Sequence, residues 1–158
     1  MINKLRTRVR GEWGFTLVEL LVVMLILGLL AAIAIPSFFN QRDKARDADA
    51  KAGVRTAQTA METYATDAGG SYTGADAADL RAIEQTLNDA DIADAGDIAP
   101  NAAGDGYSVT ADSTTGNSFT IRRFGASDAT AQNPEGTVTY TCTTAGQDGC
   151  PTGGNWGG

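Results

Sequence analysis

The stretch Phe15–Ile35, FTLVELLVVMLILGLLAAIAI, constrains this chain more than any other feature. It has 21 residues with one charge, Glu19, and one hydroxyl, Thr16. As an α-helix rising ~1.5 Å per residue it would be roughly 31 Å long, about the thickness of a bilayer's hydrocarbon core. A chain of 158 residues rarely buries so long an apolar run in a soluble core. Charge then orients the run. Residues 1–14 carry Lys4, Arg6, Arg8 and Arg10 against Glu12, net +3; the rest carry 8 basic and 18 acidic side chains, net −10. The far flank is mixed in sign, with Arg42, Asp43, Lys44, Arg46 and Asp47. The positive-inside bias keeps the N-terminus cytoplasmic and faces everything after Pro36 outward. Cys142 and Cys150 then sit in an oxidising compartment.

Three plainer readings compete for this segment. It could be a secretory signal cut after Ala32-Ile33-Ala34, a simple single-pass anchor, or a buried helix. A signal's apolar core is usually shorter and carries no acid, so length and Glu19 both argue against the first. A carboxylate in a membrane helix costs up to a few kcal/mol, depending on depth, and is a functional candidate by default. No Lys or Arg follows Glu19 until Arg42. Its partner is therefore expected from outside the helix, or from a new amine made at the helix start.

Composition removes much enzyme chemistry. There is no His, which excludes His acid–base catalysis and His-activated nucleophiles. Two Cys do not make an ordinary four-ligand zinc site. No phosphate-binding loop, dinucleotide fingerprint, CxxC pair or nucleophile elbow is present. Arg122-Arg123 is a lone basic pair on an acidic body, so nucleic acid is an unlikely partner. Asp89, Asp91, Asp94 and Asp97 crowd one loop and are weak calcium candidates. Their spacing does not fit an EF-hand, and a solvated acidic loop is the plainer reading. No metal, cofactor or catalytic residue is expected.

Gly14-Phe15-Thr16-Leu17-Val18-Glu19, with a short basic leader before it and an apolar run ending at Pro36 after it, resembles the N-terminus of type IV prepilins and pseudopilins. The resemblance is close over residues 8–40 and architectural beyond. It implies a leader, residues 1–14, removed after Gly14 by a prepilin peptidase on the cytoplasmic side. It implies that Phe15 becomes the N-terminus and is N-methylated, and that Glu19 pairs with the Phe15 ammonium of a neighbouring subunit. Gly28 and Pro36 would bracket a stretch that unwinds in assembled filaments. Cys142 and Cys150 would close a C-terminal disulfide loop. The implied partners are further copies of the chain, the peptidase, a platform protein, an ATPase and, before assembly, the membrane. The leading expectation is an extracellular filament subunit without catalytic activity. The alternatives are a type II secretion pseudopilin and a competence or minor pilin acting in DNA uptake.

The residues support these roles on physical grounds. An ammonium and a carboxylate in a low-dielectric layer attract strongly when paired. Pro36 lacks an N–H and clashes with the carbonyl of Ala32, so a bend is expected there. Gly28 weakens a helix by about 1 kcal/mol relative to Ala, and a tolerated small residue at a helix contact explains it equally well.

The expected fold is α+β: a long N-terminal helix packed on a three- to four-stranded antiparallel sheet. Residues 15–36 form the apolar half of the helix and 37–68 its second half, with the head over 69–158. Phe38, Ala45, Ala48, Ala52, Thr56, Ala60 and Tyr64 form a stripe at helical spacing. The charges of 42–51 read either as a solvated band with pairs such as Asp47–Lys51 or as a contact band between subunits. Gly69-Gly70 stops the helix. A second helix is expected over Asp76–Asn88 with Asp76 as N-cap, then an irregular stretch over 89–105. Strands are expected over Tyr107–Ala111, Ser118–Phe124 and Thr137–Thr143, with a turn at Thr115-Gly116-Asn117. The Gly-rich tail leaves Trp156 either docked or free.

Overall fold

The structure, a computed structural model, describes residues 14–88 and 97–157. They divide into two compact units, Met1–Phe38 and Phe39–Gly158. Helix α1 runs Leu17–Asp67 and belongs to both. It stops where expected and for a visible reason. Gly69 and Gly70 take φ of 68° and 93°, and the Gly70 N–H bonds back to the Ala65 carbonyl at 2.6 Å. That is the left-handed closure that glycine tolerates and other residues resist.

In the first unit the large apolar side chains from Phe15 to Ile35 are exposed, Phe15 by 78% and Leu25 by 74%. α1 is the one described helix long and apolar enough to cross a membrane.

The second unit has the expected α+β class. Its elements are the second half of α1, α2 (Ala77–Ile83), a 3-10 turn (Gln85–Asn88), and strands β1 (Ile98–Pro100), β2 (Tyr107–Asp112), β3 (Ser118–Arg123) and β4 (Val138–Cys142). The strands form one antiparallel meander in the order β1-β2-β3-β4. Period-2 alternation sends Tyr107, Val109, Ala111, Phe119 and Ile121 inward. Ser108, Thr110, Thr120 and Arg122 alternate with them and are not buried. The inward residues join Val54, Ala57, Met61, Leu80 and Leu87 in one cluster. Three of the strands agree with the sequence reading to within a residue at each end.

Three expectations need correction. Residues 98–100 form β1, within a stretch expected to be irregular. Three residues ending in Pro100 give no readable alternation, and a proline is tolerated because the strand lies at the sheet edge. The second helix ends at Ile83: Glu84 turns extended, and the chain restarts as the 3-10 turn. Asp76 does cap it, in a reciprocal box with Asp79. Finally, the buried face of α1 is Asp47, Val54, Ala57, Ala60, Met61 and Ala65. Phe38, Ala45, Ala48 and Ala52 of the expected stripe are exposed. Small residues line several faces of this helix, so alanine spacing identifies none of them, and the residue that fixes the true face is a buried acid.

Candidate functional site

The helix start and the apolar run behind it form the site that the sequence singled out. Gly14, Phe15 and Thr16 are non-helical and exposed. Thr16 and Glu19 then close a reciprocal cap. Glu19 N–H donates to Thr16 Oγ1 at 3.2 Å. The Glu19 carboxylate accepts from the Thr16 N–H at 2.8 Å and from the Thr16 hydroxyl at 2.7 Å. This is the Thr-x-x-Glu capping box, which satisfies helix-start donors from within the chain. Both donors are neutral groups of the same helix start, so the cap fills lone pairs of the carboxylate without neutralising its charge. Gly28 is helical, and a methyl group added there would meet nothing within 4 Å. Pro36 lies inside α1, and residues 28–36 are helical throughout.

The second unit is tied together by polar groups that the sequence reading did not foresee. Asp47, read as a member of a solvated band, is 0% exposed. Its carboxylate accepts from Thr115 Oγ1 at 2.5 Å, Asn117 Nδ2 at 2.8 Å and the Gly149 N–H at 2.9 Å. Burial alone would raise its carboxyl. Ser113, Thr115, Asn117 and the Gly149 amide outweigh that and hold it below the ordinary range. Lys51, suggested as its i,i+4 partner, donates instead to the Gly149 carbonyl at 2.5 Å. Its ammonium lies 5.0 Å from the Phe119 ring centroid. A Cβ on Gly149 would stand 2.6 Å from the Asp47 Cβ, so close approach requires glycine there.

Cys142 and Cys150 are joined in a disulfide, with Cα atoms 5.9 Å apart. The tail docks. Trp156 is 7% exposed, donates its indole N–H to the Thr141 carbonyl at 2.8 Å, and packs edge-on against Phe119 and Tyr140. At the other end of α1, Glu62 accepts from Tyr72 Oη at 2.8 Å and Tyr107 Oη at 2.9 Å, with Arg123 Nε 3.8 Å away. Of the calcium candidates, Asp89, Asp91 and Asp94 lie outside the described residues. Among the described residues no group of three or more acids, Cys or His could hold a metal.

One family model, the prokaryotic N-terminal methylation motif, matches residues 14–35. The type IV major pilin protein PilA of Myxococcus xanthus is 41% identical over 51 residues, 32% of this chain and 23% of that protein. Type II secretion system core protein G of Pseudomonas aeruginosa is 38% identical over 58 residues, 37% of this chain and 41% of that one. Residues 14–35 thus carry the N-terminal methylation motif, and the first third of the chain is similar to type IV pilins and pseudopilins. A third relative, the type IV wide pilus major component PilA4 of Thermus thermophilus, is 41% identical over 69 residues, 44% of this chain and 52% of its own. The matched region thus spans between about a quarter and a half of each relative's length. No solved structure matches the chain. The cap brings together the motif residues Thr16 and Glu19, whereas Asp47, Glu62 and Trp156 lie in the second unit. The sequence named Trp156 as a residue that docks or stays free and Asp47 as one of a charged band; Glu62 it did not mark.

Proposed function

We propose that this chain is the structural subunit of an extracellular type IV pilus filament. The observation that carries the reading is the apolar half of α1, whose large side chains have no core of their own to enter. A cut at Gly14–Phe15 lies before that run, so the mature protein keeps it. In this reading residues 1–14 are the leader and 15–36 hold the precursor in the cytoplasmic membrane, N-terminus inside. Residues 37–68 continue the helix and 69–158 form the exposed head. Prepilin peptidase frees and methylates Phe15, and a platform protein and an ATPase drive assembly. Packing apolar helices together in a filament removes them from lipid without returning them to water. Glu19 then exchanges its Thr16 donors for the Phe15 ammonium of a neighbouring copy. Gly28 and Pro36 mark the stretch that loosens on assembly.

Electron microscopy of cell surfaces tests the filament. Thin fibres that disappear on deletion of this gene and return on complementation support the reading. Mass spectrometry of the mature protein should find Phe15 first and one methyl heavier; an N-terminus at Ile35 would overturn the processing scheme. A second reading, a pseudopilin of a type II secretion system, is favoured by the similarity to core protein G. Loss of protein secretion without surface fibres would select it.

A further inference from the structure

One glycine joins the disulfide to the long helix. Gly149 precedes Cys150, and both of its backbone polar groups are held by α1: the N–H by Asp47 at 2.9 Å, the carbonyl by Lys51 at 2.5 Å. Asp47 and Lys51 are one helical turn apart, so they present an acceptor and a donor along one face. The Asp47 carboxylate is oriented in turn by Thr115 and Asn117 of the β2–β3 turn, and Asn117 is 3% exposed. The cleft admits a peptide unit without a side chain, because a Cβ at position 149 would overlap Asp47. From Gly149 the loop turns back, with the Cys150 N–H bonded to the Gln147 carbonyl at 2.8 Å. Cys142, on β4, is fixed by pairing with Phe119 and by its N–H bond to the Gly154 carbonyl at 3.0 Å.

We propose that the Asp47–Lys51 clamp is the template on which the Cys142–Cys150 bond closes. The helix holds Gly149 so that the Cys150 sulfur is delivered to Cys142, and docking of the loop and stability of the bond are thermodynamically linked. The oxidant is an external disulfide. One protein thiolate attacks it and expels the first thiol; the second protein thiolate attacks the mixed disulfide and expels the second. Two protein thiols become one bond, and one external disulfide becomes two thiols. Asp47 and Lys51 take no part in electron transfer. They are positioning residues, and they raise the effective concentration of one thiol at the other. Linkage also runs in reverse: with the bond reduced, the hold of the clamp on Gly149 weakens by the same factor.

The test is the thiol–disulfide equilibrium of the full chain in detergent micelles against glutathione buffers, read by alkylation and mass. Asp47→Asn and Lys51→Met should each shift the equilibrium towards the dithiol, about tenfold for Asp47→Asn, the scale of one charge-assisted hydrogen bond. Gly149→Ala should do the same. Glu62→Gln and Met61→Ala weaken the same domain more than two helical turns beyond Lys51 and should leave the equilibrium unchanged as long as circular dichroism shows both folded. If a clamp variant does not fold, hydrogen exchange on the wild-type chain replaces it: reduction should speed exchange at the Gly149 amide and spare Val109. An unchanged equilibrium in Asp47→Asn, an equal shift in Met61→Ala, or unaltered Gly149 exchange after reduction would each overturn the proposal.

Discussion

A buried carboxylate with its hydrogen bonds filled is expensive to disturb, and Asp47 is the residue where that shows most. Asp47→Ala would strand the Thr115 hydroxyl, the Asn117 amide and the Gly149 N–H; we expect a loss of about 3 kcal/mol, measured by denaturant unfolding. Its carboxyl is depressed in the folded state, so its contribution is complete above the unfolded value near ~3.9 and fades as pH falls through the lower folded value. Stability should hold from neutral pH to about 5 and decline in stronger acid. Asp105, held down to about 2 by Ser127 and Asn101, adds to that decline. The difference between wild type and Asp47→Asn isolates the Asp47 share. The tyrosines on Glu62 behave oppositely. Burial and the Glu62 carboxylate push Tyr72 up to about 12, and push Tyr107 in the same direction. A raised phenol contributes stability that is complete below the unfolded value near ~10 and is lost as pH rises from there through the folded value. Tyrosinate absorbance should therefore lag in the native protein and rise with unfolding above about pH 12. Neither network was legible beforehand. An acid between Arg46 and Ala48, close to other charges, looks like any solvated residue, and its partners lie 68 to 102 positions away.

At the scale of elements, legibility followed the strength of the local signal. β4 was readable because Val138, Tyr140 and Cys142 alternate with threonines, and α2 because Asp76 offers a cap. β1 was not, since three residues carry no period. The face of α1 was missed because its contrast is between alanines, and hydrophobic spacing cannot separate a buried alanine from an exposed one. The tail is the element whose role only the packing reveals. Trp156 seals the sheet beside Phe119 and Tyr140, with the Arg55 guanidinium 5.1 Å from its ring. Trp156→Ala should cost about 3–5 kcal/mol, read by thermal or denaturant unfolding. Trp156→Phe should recover part of it, lacking the indole bond to the Thr141 carbonyl.

For the molecule as a whole, one short motif announced the likeness to type IV prepilins, while the head's internal chemistry stayed hidden. Phe15 through Ile35 can be read in one pass because membrane physics acts on composition and length. The head has a small core of alanines and a few large residues, and two acids, Asp47 and Glu62, rivet its helix to the sheet and loops. The proposed filament makes Glu19 the decisive position at this scale. Glu19→Ala should leave membrane insertion and leader removal intact, seen as a normal mature mass, and reduce surface fibres to few or none by microscopy. Fibres at wild-type yield would remove the acid from the assembly scheme. Thr16→Ala removes the hydroxyl of the intrachain cap and leaves the acid; with Thr16→Ser beside it, it shows whether the capped state matters to fibre yield.

The outer margin of β4 is taken by the chain's own end: Cys142 and Tyr140 bond to Gly154 and Trp156, and Thr141 bridges Asn155. The opposite margin is three residues long and finishes in a proline. Neither side lends a strand to a neighbour, and this blunts the commonest route by which β-proteins clump. A polymer of such heads gains nothing from shared strands, so a mild surfactant that coats its greasy stems should dismantle it into folded single subunits.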